Sequence, residues 1–427
     1  MNREMKHSGI AWAELIPSHW NVERGKHVLT LMQRQVREDD EIITCFRDGE
    51  VILRKLRRED GFTMSDKEIG YQGINVGDIV IHGMDGFAGA IGVSKSQGKG
   101  TPVYVVCTTK DNSNNSYIVY YLRTLAQNNV FLALATGIRE RSCDLKWNKI
   151  SVLPFLLPPI SEQKAIADFL DKKCGEIDEL VALQEKIIEE LKSYKQSVIT
   201  ETVCKGLNPN APMKDSEVEW IGDIPEGWKV MKIKHLASVV RGGSPRPAGD
   251  PQYYEGNIPF MKVADITKDD NIFVNDCEYT IKEAGLSHTR MIEPHTLLLT
   301  NSGATLGVPK INTFKTTFND GIAAFLDLDK SLDIYFAYYS LKARTKYFLD
   351  SASLGIGQPN LNTDIIGSTY LAIPHIEEQY DIVEFLNTKC SEIDQLISIK
   401  QQKIVELKDY KKSLIYEYTT GKKEVKL

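Results

Sequence analysis

The chain has 427 residues, a net charge of −6 and an apolar fraction of 42%, which is typical of a globular protein with two to four domains. Its seven cysteines are scattered and form no CxxC pair. This pattern predicts neither a disulfide framework nor a zinc site and fits a reducing cytoplasm. We expect no export signal and no membrane insertion. The acidic balance by itself argues against nucleic-acid binding, because phosphate neutralisation needs clustered Lys and Arg.

A tryptophan motif opens each half of the chain. The pattern Trp-(x3)-Ile-Pro-(x2)-Trp occupies residues 12–20 and recurs 208 positions later at residues 220–228. We interpret these tryptophans as core anchors at the entry of a domain and assign them no chemistry.

Short β-rich runs separated by glycine-rich turns follow each tryptophan motif. The predicted strands are residues 79–81, 103–106, 297–300 and 323–326, and the predicted helices are residues 117–124 and 334–349. Mixed α/β globules are therefore expected in both halves. No convincing similarity relates residues 21–157 to residues 229–373.

The strongest repeat is a helical segment. Residues 158–201 recur as residues 374–417 at a constant offset of 216, without a gap and with 22 of 44 positions identical. A period this long indicates a duplicated domain unit. In both copies apolar residues alternate at spacings of four and three, which predicts a heptad seam. The seam residues are Leu170, Cys174, Ile177, Val181, Ile188, Leu191 and Val198, and Leu386, Cys390, Ile393, Ile397, Ile404, Leu407 and Leu414.

Each of these helices is predicted to span roughly 40 residues, or about 60 Å. In the first copy Ser161 is the predicted N-cap, and Gly206 is the predicted stop. We interpret the helices as spacers that pair with each other within the chain. Periodicity alone leaves open an oligomerisation coiled coil between chains.

The sequence lacks the motifs of the common catalytic sites. The nearest approach to a phosphate-binding P-loop, residues 92–100, has the wrong spacing and no hydroxyl residue at its end. The Asp/Asn-Pro-Pro-aromatic, HExxH and Gly-x-Ser-x-Gly motifs are also absent. We therefore predict no catalytic residue, no metal site and no cofactor site in this chain.

The repeated helix openings, Pro-(x)-Ile-(x)-Glu-Gln at residues 158–163 and 374–379, closely resemble the conserved regions of type I restriction-modification specificity subunits. Four stretches of the second half are similar to landmarks of that family's target-recognition domains, namely residues 241–245, 254–260, 300–305 and 357–361. The resemblance covers nearly the whole chain. The first half departs from it, because it lacks the Arg-Gly-Gly-Ser-Pro turn and the Tyr-Glu-Gly segment.

The resemblance implies an α+β protein with two globular α/β target-recognition domains, separated by two long antiparallel helices that form an intramolecular coiled coil with pseudo-twofold symmetry. The expected domains are a first target-recognition domain at residues 1–157, a central helical spacer at 158–205, a second target-recognition domain at 206–373 and a C-terminal helical spacer at 374–427. Residues 1–157 and 206–373 are called below the first and second globular segments.

The implied function is non-catalytic recognition of a bipartite, asymmetric double-stranded DNA target within a restriction-modification complex. The implied partners are two methyltransferase subunits and restriction/translocase subunits, and those chains would carry the S-adenosylmethionine, ATP and Mg²⁺. Half-sites about 34 Å apart, one DNA turn, would suit such a spacer. Two alternatives remain open: a specificity subunit of a methylation-only system, and a coiled-coil interaction protein unrelated to DNA.

Base readout needs Arg or Lys against guanine, Asn or Gln against adenine, and small hydroxyls, carried on loops. In the second globular segment the candidates are Ser244, Arg246, Asn301, Ser302, Thr305, Gln358 and Asn360. In the first they are His82, Lys95, Lys99, Arg139 and Arg141. We also expect a partner-docking surface on the helices at the repeated charges Lys173/Lys389, Glu176/Glu392 and Lys192/Lys408.

Overall fold

Strands and short helices alternate twice along the chain, and each series ends in one long helix. The structure, a computed structural model, describes residues 3–57, 69–133, 145–303, 305–353 and 360–425, with backbone only at 350–353. The elements of the first series are β1 (Met5–His7), β2 (Leu15–Pro17), β3 (Asn21–Arg24), α1 (Gly25–Val28), β4 (Leu29–Leu31), β5 (Ile43–Cys45), β6 (Val51–Leu53), β7 (Gln72–Ile74), β8 (Ile79–His82), β9 (Ile91–Val93), β10 (Gly98–Gly100), β11 (Tyr104–Thr109), α2 (Asn115–Gln127), α3 (Val130–Ala133), α4 (Trp147–Ile150), β12 (Pro154–Leu157) and α5 (Ile160–Lys205).

The second series has a similar order. Its elements are β13 (Met213–Asp215), β14 (Asp223–Pro225), β15 (Lys229–Lys232), β16 (Ser238–Arg241), β17 (Tyr254–Met261), α6 (Val263–Thr267), β18 (Phe273–Val274), β19 (Tyr279–Ile281), β20 (Arg290–Ile292), β21 (Leu297–Thr300), β22 (Pro309–Asn312), β23 (Thr316–Phe318), β24 (Ile322–Leu326), α7 (Ile334–Ser353), α8 (Thr363–Ser368), β25 (Tyr370–Ile373) and α9 (Ile376–Thr419). Short 3-10 helices cover Arg54–Leu56, Gly86–Ala88, Ile233–His235 and Glu283–His288. The predicted mixture of helices and strands is confirmed.

The long helices have 46 residues in α5 and 44 in α9, slightly more than predicted. Helix α5 begins at Ile160, one residue before the predicted N-cap Ser161, because the Gln163 N–H already donates to the Pro159 carbonyl at 2.9 Å. It ends at Lys205, immediately before Gly206 with a φ of +72°. A residue with a side chain is disfavoured in that left-handed conformation, so Gly206 stops the helix as predicted.

Contacts divide the chain into two units, and the boundary between the units falls inside both long helices. The first unit comprises Met1–Glu185 with Gln401–Leu427, and the second comprises Lys186–Lys400. Each unit therefore combines one globular segment with a part of α5 and a part of α9.

The seam residues of the long helices help to form the core of each unit. In the first unit, Leu170, Cys174, Ile177 and Val181 of α5 share one hydrophobic cluster with Leu414 of α9. In the second unit, Leu386 and Cys390 of α9 join a cluster with Ile199 of α5. Most of the predicted seam is thus buried, and it packs against the globular segments as well as against the other helix.

Ion pairs between α5 and α9 occur at equivalent places in the two units. In the first unit Lys411 Nζ lies 2.6 Å from Asp178 Oδ2, and in the second Lys195 Nζ lies 2.6 Å from Asp394 Oδ2. The rings of Phe169 and Tyr418 also meet in the first unit, with centroids 4.5 Å apart. Because α9 residue numbers rise as their α5 partners fall, the two helical segments of that unit run antiparallel.

The two globular segments share a central sheet that their sequences do not reveal. The first has the antiparallel order β4-β11-β8-β9, and the second has β16-β24-β21-β22 followed by a parallel edge strand, β18. The surroundings differ: the second segment adds the sheet β19-β17-β23-β20, whereas the first has the two-stranded sheets β10-β7 and β5-β6. The two globular segments therefore share the strand order of the central sheet and differ in the additional sheets beside it.

Candidate nucleic-acid interface

The tryptophan motif and the repeated helix opening meet at a joint that occurs in both units. Trp20 Nε1 donates a hydrogen bond to Glu162 Oε2 at 3.2 Å, and Trp228 Nε1 donates one to Glu378 Oε2 at 3.0 Å. Both tryptophans are buried. The identical Trp and Glu residues of the two repeats are thus partners, and each pair fixes a globular segment to the start of a long helix.

The next residue of each helix opening completes the joint. Gln163 accepts from the N–H of Asn114 at 3.0 Å, and Gln379 accepts from the N–H of Asp333 at 2.8 Å. Asn114 is the N-cap of α2, and Asp333 immediately precedes α7. Each buried glutamine therefore holds the helix that packs on the central sheet, so the position of the sheet and its loops depends on this residue.

Glu162 makes the stability of the first joint sensitive to pH. Partial burial would raise the pKa of Glu162, but hydrogen bonds with His19, Arg3 and Trp20 outweigh burial and hold it below its usual value. A lowered folded-state pKa gives a stabilisation that is complete above the unfolded value of about 4.5 and is lost as the pH falls through the folded pKa. We expect Glu162→Gln to cost about 1–3 kcal/mol at pH 7 and less at pH 3, measured by urea unfolding.

The matched control for that experiment is Glu378→Gln. Among the described residues, Trp228 is the only hydrogen-bond partner of Glu378, so its replacement should cost less at neutral pH. A cost of Glu162→Gln that does not depend on pH would contradict the assignment.

Three loops of the second globular segment emerge at the same end of the strands of its central sheet. By strand register β16 ends where β24 begins, and β21 ends where β24 and β22 begin. The loop after β16, the loop that joins β21 to β22 and the loop before β24 are therefore neighbours. All the second-segment candidates that the structure describes lie in these loops or pair with them, and Gln358 lies outside the described residues.

Ser244 and Arg246 both face Asp320, in the loop before β24. Ser244 Oγ donates to Asp320 Oδ1 at 2.8 Å, and Arg246 Nη2 lies 3.6 Å from Asp320 Oδ2. The Arg246 side chain is 73% exposed. Such a long, exposed ion pair contributes little stability, so the guanidinium is available to a ligand.

Asn301, in contrast, is buried within the same loop cluster. Its N–H donates to the Gly321 carbonyl at 2.9 Å, and its carbonyl accepts from the Leu361 N–H at 2.8 Å. Its side-chain amide has no hydrogen-bond partner among the described residues. Asn301 thus ties the loop after β21 to its neighbours, and its predicted base contact would require the side chain to become exposed.

The other three described candidates of this loop cluster are accessible: Ser302 is half-buried, and Thr305 and Asn360 are exposed. Ser302 forms an isolated antiparallel bridge with Asn360, which is exposed. Thr305 is exposed as well, and its carbonyl accepts from Thr300 Oγ1 at 2.7 Å. The structure therefore brings Ser302 and Asn360 together, and their contacts with bases stay a prediction.

A cleft of about 320 Å³ opens beside Ser244 and Arg246. Its wall includes Lys262, whose Nζ lies 3.1 Å from the centre of the Tyr279 ring. Two carboxylates line it as well, from Glu255 and Glu278. The cleft thus offers donors, acceptors and an aromatic face, the groups that recognise base edges. Sequence reasoning missed Lys262 and Tyr279, although Lys262 follows the landmark at residues 254–260 by two positions.

The first-segment candidates do not form a single cluster. His82 ends β8, where its Nδ1 accepts from the N–H of Asp85 at 3.0 Å, and burial lowers its pKa. Lys95 follows β9 beyond the opposite end of the sheet, with its Nζ 3.1 Å from Glu50. Lys99 is half-buried in β10. Arg139 and Arg141 lie outside the described residues.

The long helices expose apolar side chains that the sequence analysis did not single out. Six of them lie on the face about 90° around the helix from the seam, at 100° per residue. Each member of the first helix has a counterpart 216 residues later, and we call these six residues the outer stripe: Leu180, Leu183 and Tyr194, and Leu396, Ile399 and Tyr410. Their exposed fractions run from 45% to 60%.

The predicted charged docking residues are occupied within the chain. Lys173 pairs with Glu176 at 2.7 Å, and Lys389 pairs with Glu392 at 3.0 Å. Lys192 pairs with Glu189, and Lys408 lies 3.8 Å from Glu185. These pairs are exposed and remain accessible to a partner, but the outer stripe is the more distinctive feature, since exposed apolar groups arranged in a row commonly mark an interaction surface.

The part of the chain that the structure describes contains neither a metal-ligand cluster nor a helix suited to span a membrane. No group of three or more His, Cys, Asp or Glu side chains there is arranged to hold a metal ion. None of its helices combines the length and apolar character that a membrane span requires.

Comparison with known proteins identifies the class first. A profile of the family described as "Type I restriction modification DNA specificity domain" matches residues 225–409. Two solved structures share the fold over 95% of this chain and 98% of theirs. One comes from work on complex assembly and conformational transition of the type I R-M system (TM-score 0.73, 15% identity), and the other is the HsdS subunit of Thermoanaerobacter tengcongensis (TM-score 0.54, 16% identity).

Curated relatives extend the likeness to the whole chain. A putative type I restriction enzyme MjaX specificity subunit from Methanocaldococcus jannaschii is 26% identical over 432 residues, covering 96% of this chain and 95% of the relative. The EcoBI specificity subunit of Escherichia coli is 25% identical, covering 53% and 49%. Residues 225–409 thus match the type I restriction-modification DNA specificity domain, and nearly the whole chain is similar to type I specificity subunits.

Proposed function

We propose that this chain reads the DNA sequence for a type I restriction-modification complex, with each globular segment recognising one half of a bipartite, asymmetric target. The observation that carries the proposal is the repeated Trp–Glu–Gln joint. The same bonds fix two different sets of loops to two copies of one helix. A repeated frame with different loops is suited to reading two different sequences from equivalent positions.

The chain acts without a catalytic centre of its own in this proposal. Adenine methylation with S-adenosylmethionine, and ATP- and Mg²⁺-dependent cleavage, belong to the methyltransferase and restriction subunits. The absence of P-loop and amino-methyltransferase motifs from the sequence supports this division of labour.

The outer stripe is the proposed docking surface for the methyltransferase subunits. Its members occur twice at an offset of 216 residues, which supports two equivalent partners. Exposed Leu, Ile and Tyr side chains suit the apolar core of a protein interface, and the flanking Lys–Glu pairs suit its polar rim.

Sequencing of methylated adenines in host DNA, with the gene present and deleted, tests the proposal directly. Loss of one asymmetric, gapped motif on deletion is expected, and that motif gives both half-sites and the gap length. An unchanged methylation pattern, with the partner subunits expressed, would overturn the proposal. Co-purification of a restriction subunit separates a full restriction system from a methylation-only one.

Arg246→Ala is expected to relax recognition at one half-site only. A bidentate arginine contributes about 1–3 kcal/mol to discrimination against a wrong base, so binding to the matched target should weaken about 5- to 150-fold. Binding to a duplex with that half-site scrambled should change little. Equal discrimination before and after the substitution would remove Arg246 from the interface.

A further inference from the structure

Two exposed arginines of the second globular segment are anchored in series near the Ser244–Arg246 turn. Arg241, the last residue of β16, donates from Nε to the carbonyl of Asp320 at 2.6 Å. Arg290, the first residue of β20, donates from Nε to the carbonyl of Arg241 at 3.2 Å. The Arg241 guanidinium is thus anchored on the backbone of Asp320 and the Arg290 guanidinium on the backbone of Arg241, both at exposed positions.

Only one of the five N–H groups of each guanidinium is used in this way. Within the described residues neither guanidinium makes another hydrogen bond or an ion pair, so four N–H donors of each remain available. The bond from Nε restricts the rotation of the planar group, which reduces the entropy lost when a ligand binds. Such a pre-oriented fork suits a bidentate oxyanion such as phosphate.

The local charge also favours an anion. The carboxylate of Asp320 accepts from Ser244 and lies 3.6 Å from Arg246, while only its backbone carbonyl holds Arg241. Arg246 and Arg241 contact Asp320, and Arg290 contacts Arg241, so this series of contacts carries three positive charges and one negative charge. The excess is local, since the chain as a whole is acidic.

The neighbouring cleft has a different character. It is lined by Arg246 and also by Glu255 and Glu278, which would repel phosphate but can accept hydrogen bonds from base amino groups. Arg241 and Arg290 do not line it. The cleft and the arginine pair are thus suited to two different parts of the same DNA.

We propose that Arg241 and Arg290 form a clamp for the DNA phosphate backbone, beside the cleft in which Arg246 faces base edges. This inference rests on the proposed function and assigns to the pair the positioning of one half-site. The clamp contributes affinity that does not depend on the base sequence, because phosphates are the same in every sequence.

The test uses the full chain assembled with its methyltransferase partner. It compares two double variants at Arg241 and Arg290 with the single variant Arg246→Gln. The probes are a duplex carrying the gapped motif found by methylation sequencing and the same duplex with the second half-site scrambled. Affinity is measured between about 50 and about 200 mM salt, where phosphate contacts dominate the salt dependence. Thermal unfolding confirms that the variants, all at exposed positions, remain folded.

Arg241→Gln with Arg290→Gln is expected to weaken binding to both duplexes by the same factor, about 10-fold or more. It should also reduce the salt slope, the slope of log affinity against log salt concentration, by about 2. Arg241→Lys with Arg290→Lys should keep most of the salt slope yet bind less tightly, since lysine keeps the charge but loses the fork. Arg246→Gln should weaken binding to the matched duplex alone.

Two results would overturn the clamp: a glutamine double variant that binds less tightly to the matched duplex only, or one with unchanged affinity and salt slope. A wild-type complex that binds both duplexes equally would instead contradict the proposed function. The salt slope still reports on the clamp in that case, so the two failures are distinguishable.

Discussion

Replacement of Gln379 by methionine is expected to destabilise the second unit by about 3–6 kcal/mol. The side chain is fully buried and makes three hydrogen bonds. Its Oε1 accepts from the Asp333 N–H at 2.8 Å, and its Nε2 donates to the carbonyls of Ser331 at 2.7 Å and Pro374 at 3.0 Å. Methionine has a similar volume but leaves these three backbone groups without a partner, and each unsatisfied group is expected to cost about 1–2 kcal/mol here.

Gln163 provides the matched comparison in the first unit. It makes two such bonds, with the N–H of Asn114 and the carbonyl of Pro158, so Gln163→Met should cost about 2–4 kcal/mol. Gln401→Met, at an exposed position of α9, should lie within about 0.5 kcal/mol of the wild type.

Urea unfolding measures the loss of stability in each variant, and hydrogen exchange shows where in the chain that loss occurs. Gln379→Met should accelerate exchange at the start of α7, and Gln163→Met should do so at the start of α2. Equal losses at Gln379 and Gln401 would show that the joint does not hold the second globular segment.

The second large effect is expected at the outer stripe. Leu183→Glu combined with Ile399→Glu should weaken assembly with the methyltransferase subunit by about 30- to 1000-fold, which corresponds to about 2–4 kcal/mol. Both side chains are at least half exposed in this chain, so the substitutions should leave its own stability nearly unchanged. A carboxylate placed in an apolar interface loses its hydration without gaining a partner.

The duplication of the stripe allows a sharper test by stoichiometry. Leu183→Glu alone and Ile399→Glu alone should each leave one methyltransferase bound, and the double variant should leave none, as read by native mass spectrometry. Ala182→Glu and Ser398→Glu add the same charge one residue away on another exposed face and should leave two bound. Full assembly of the double variant would exclude the stripe as the docking surface.

The repeated frame could be predicted from the sequence because its determinants are local or duplicated. The 3-and-4 spacing of Leu170, Cys174 and Ile177 defines an apolar face on any helix, and Gly206 ends α5 by its own conformational freedom. The constant offset of 216 residues then indicated that both copies have the same role. The family motif Pro-(x)-Ile-(x)-Glu-Gln also lies on this frame, at both helix openings.

The candidate interface was predicted less completely, because its residues are brought together by strand register. Arg241, Arg290 and Asp320 are separated by 49 and 30 positions, and only the pairing of β16 with β24 and of β20 with β23 makes them neighbours. Nothing in the sequence distinguishes Asn301 from an exposed loop asparagine, yet its side chain is buried. Burial of a loop residue depends on which other loops cover it, and the sequence pattern carries no such information.

Sequence alone therefore determined the two long helices, their repeated openings and the division into two halves, since periodicity, helix-stop chemistry and repetition act over short stretches or survive as identical residues. Only the tertiary structure decided that the two dissimilar segments share one sheet order, that Glu162 and Gln163 serve as the joint, and which loop side chains remain exposed. Those features depend on hydrogen bonds and packing between residues far apart in the chain, where many different sequences satisfy the same geometry.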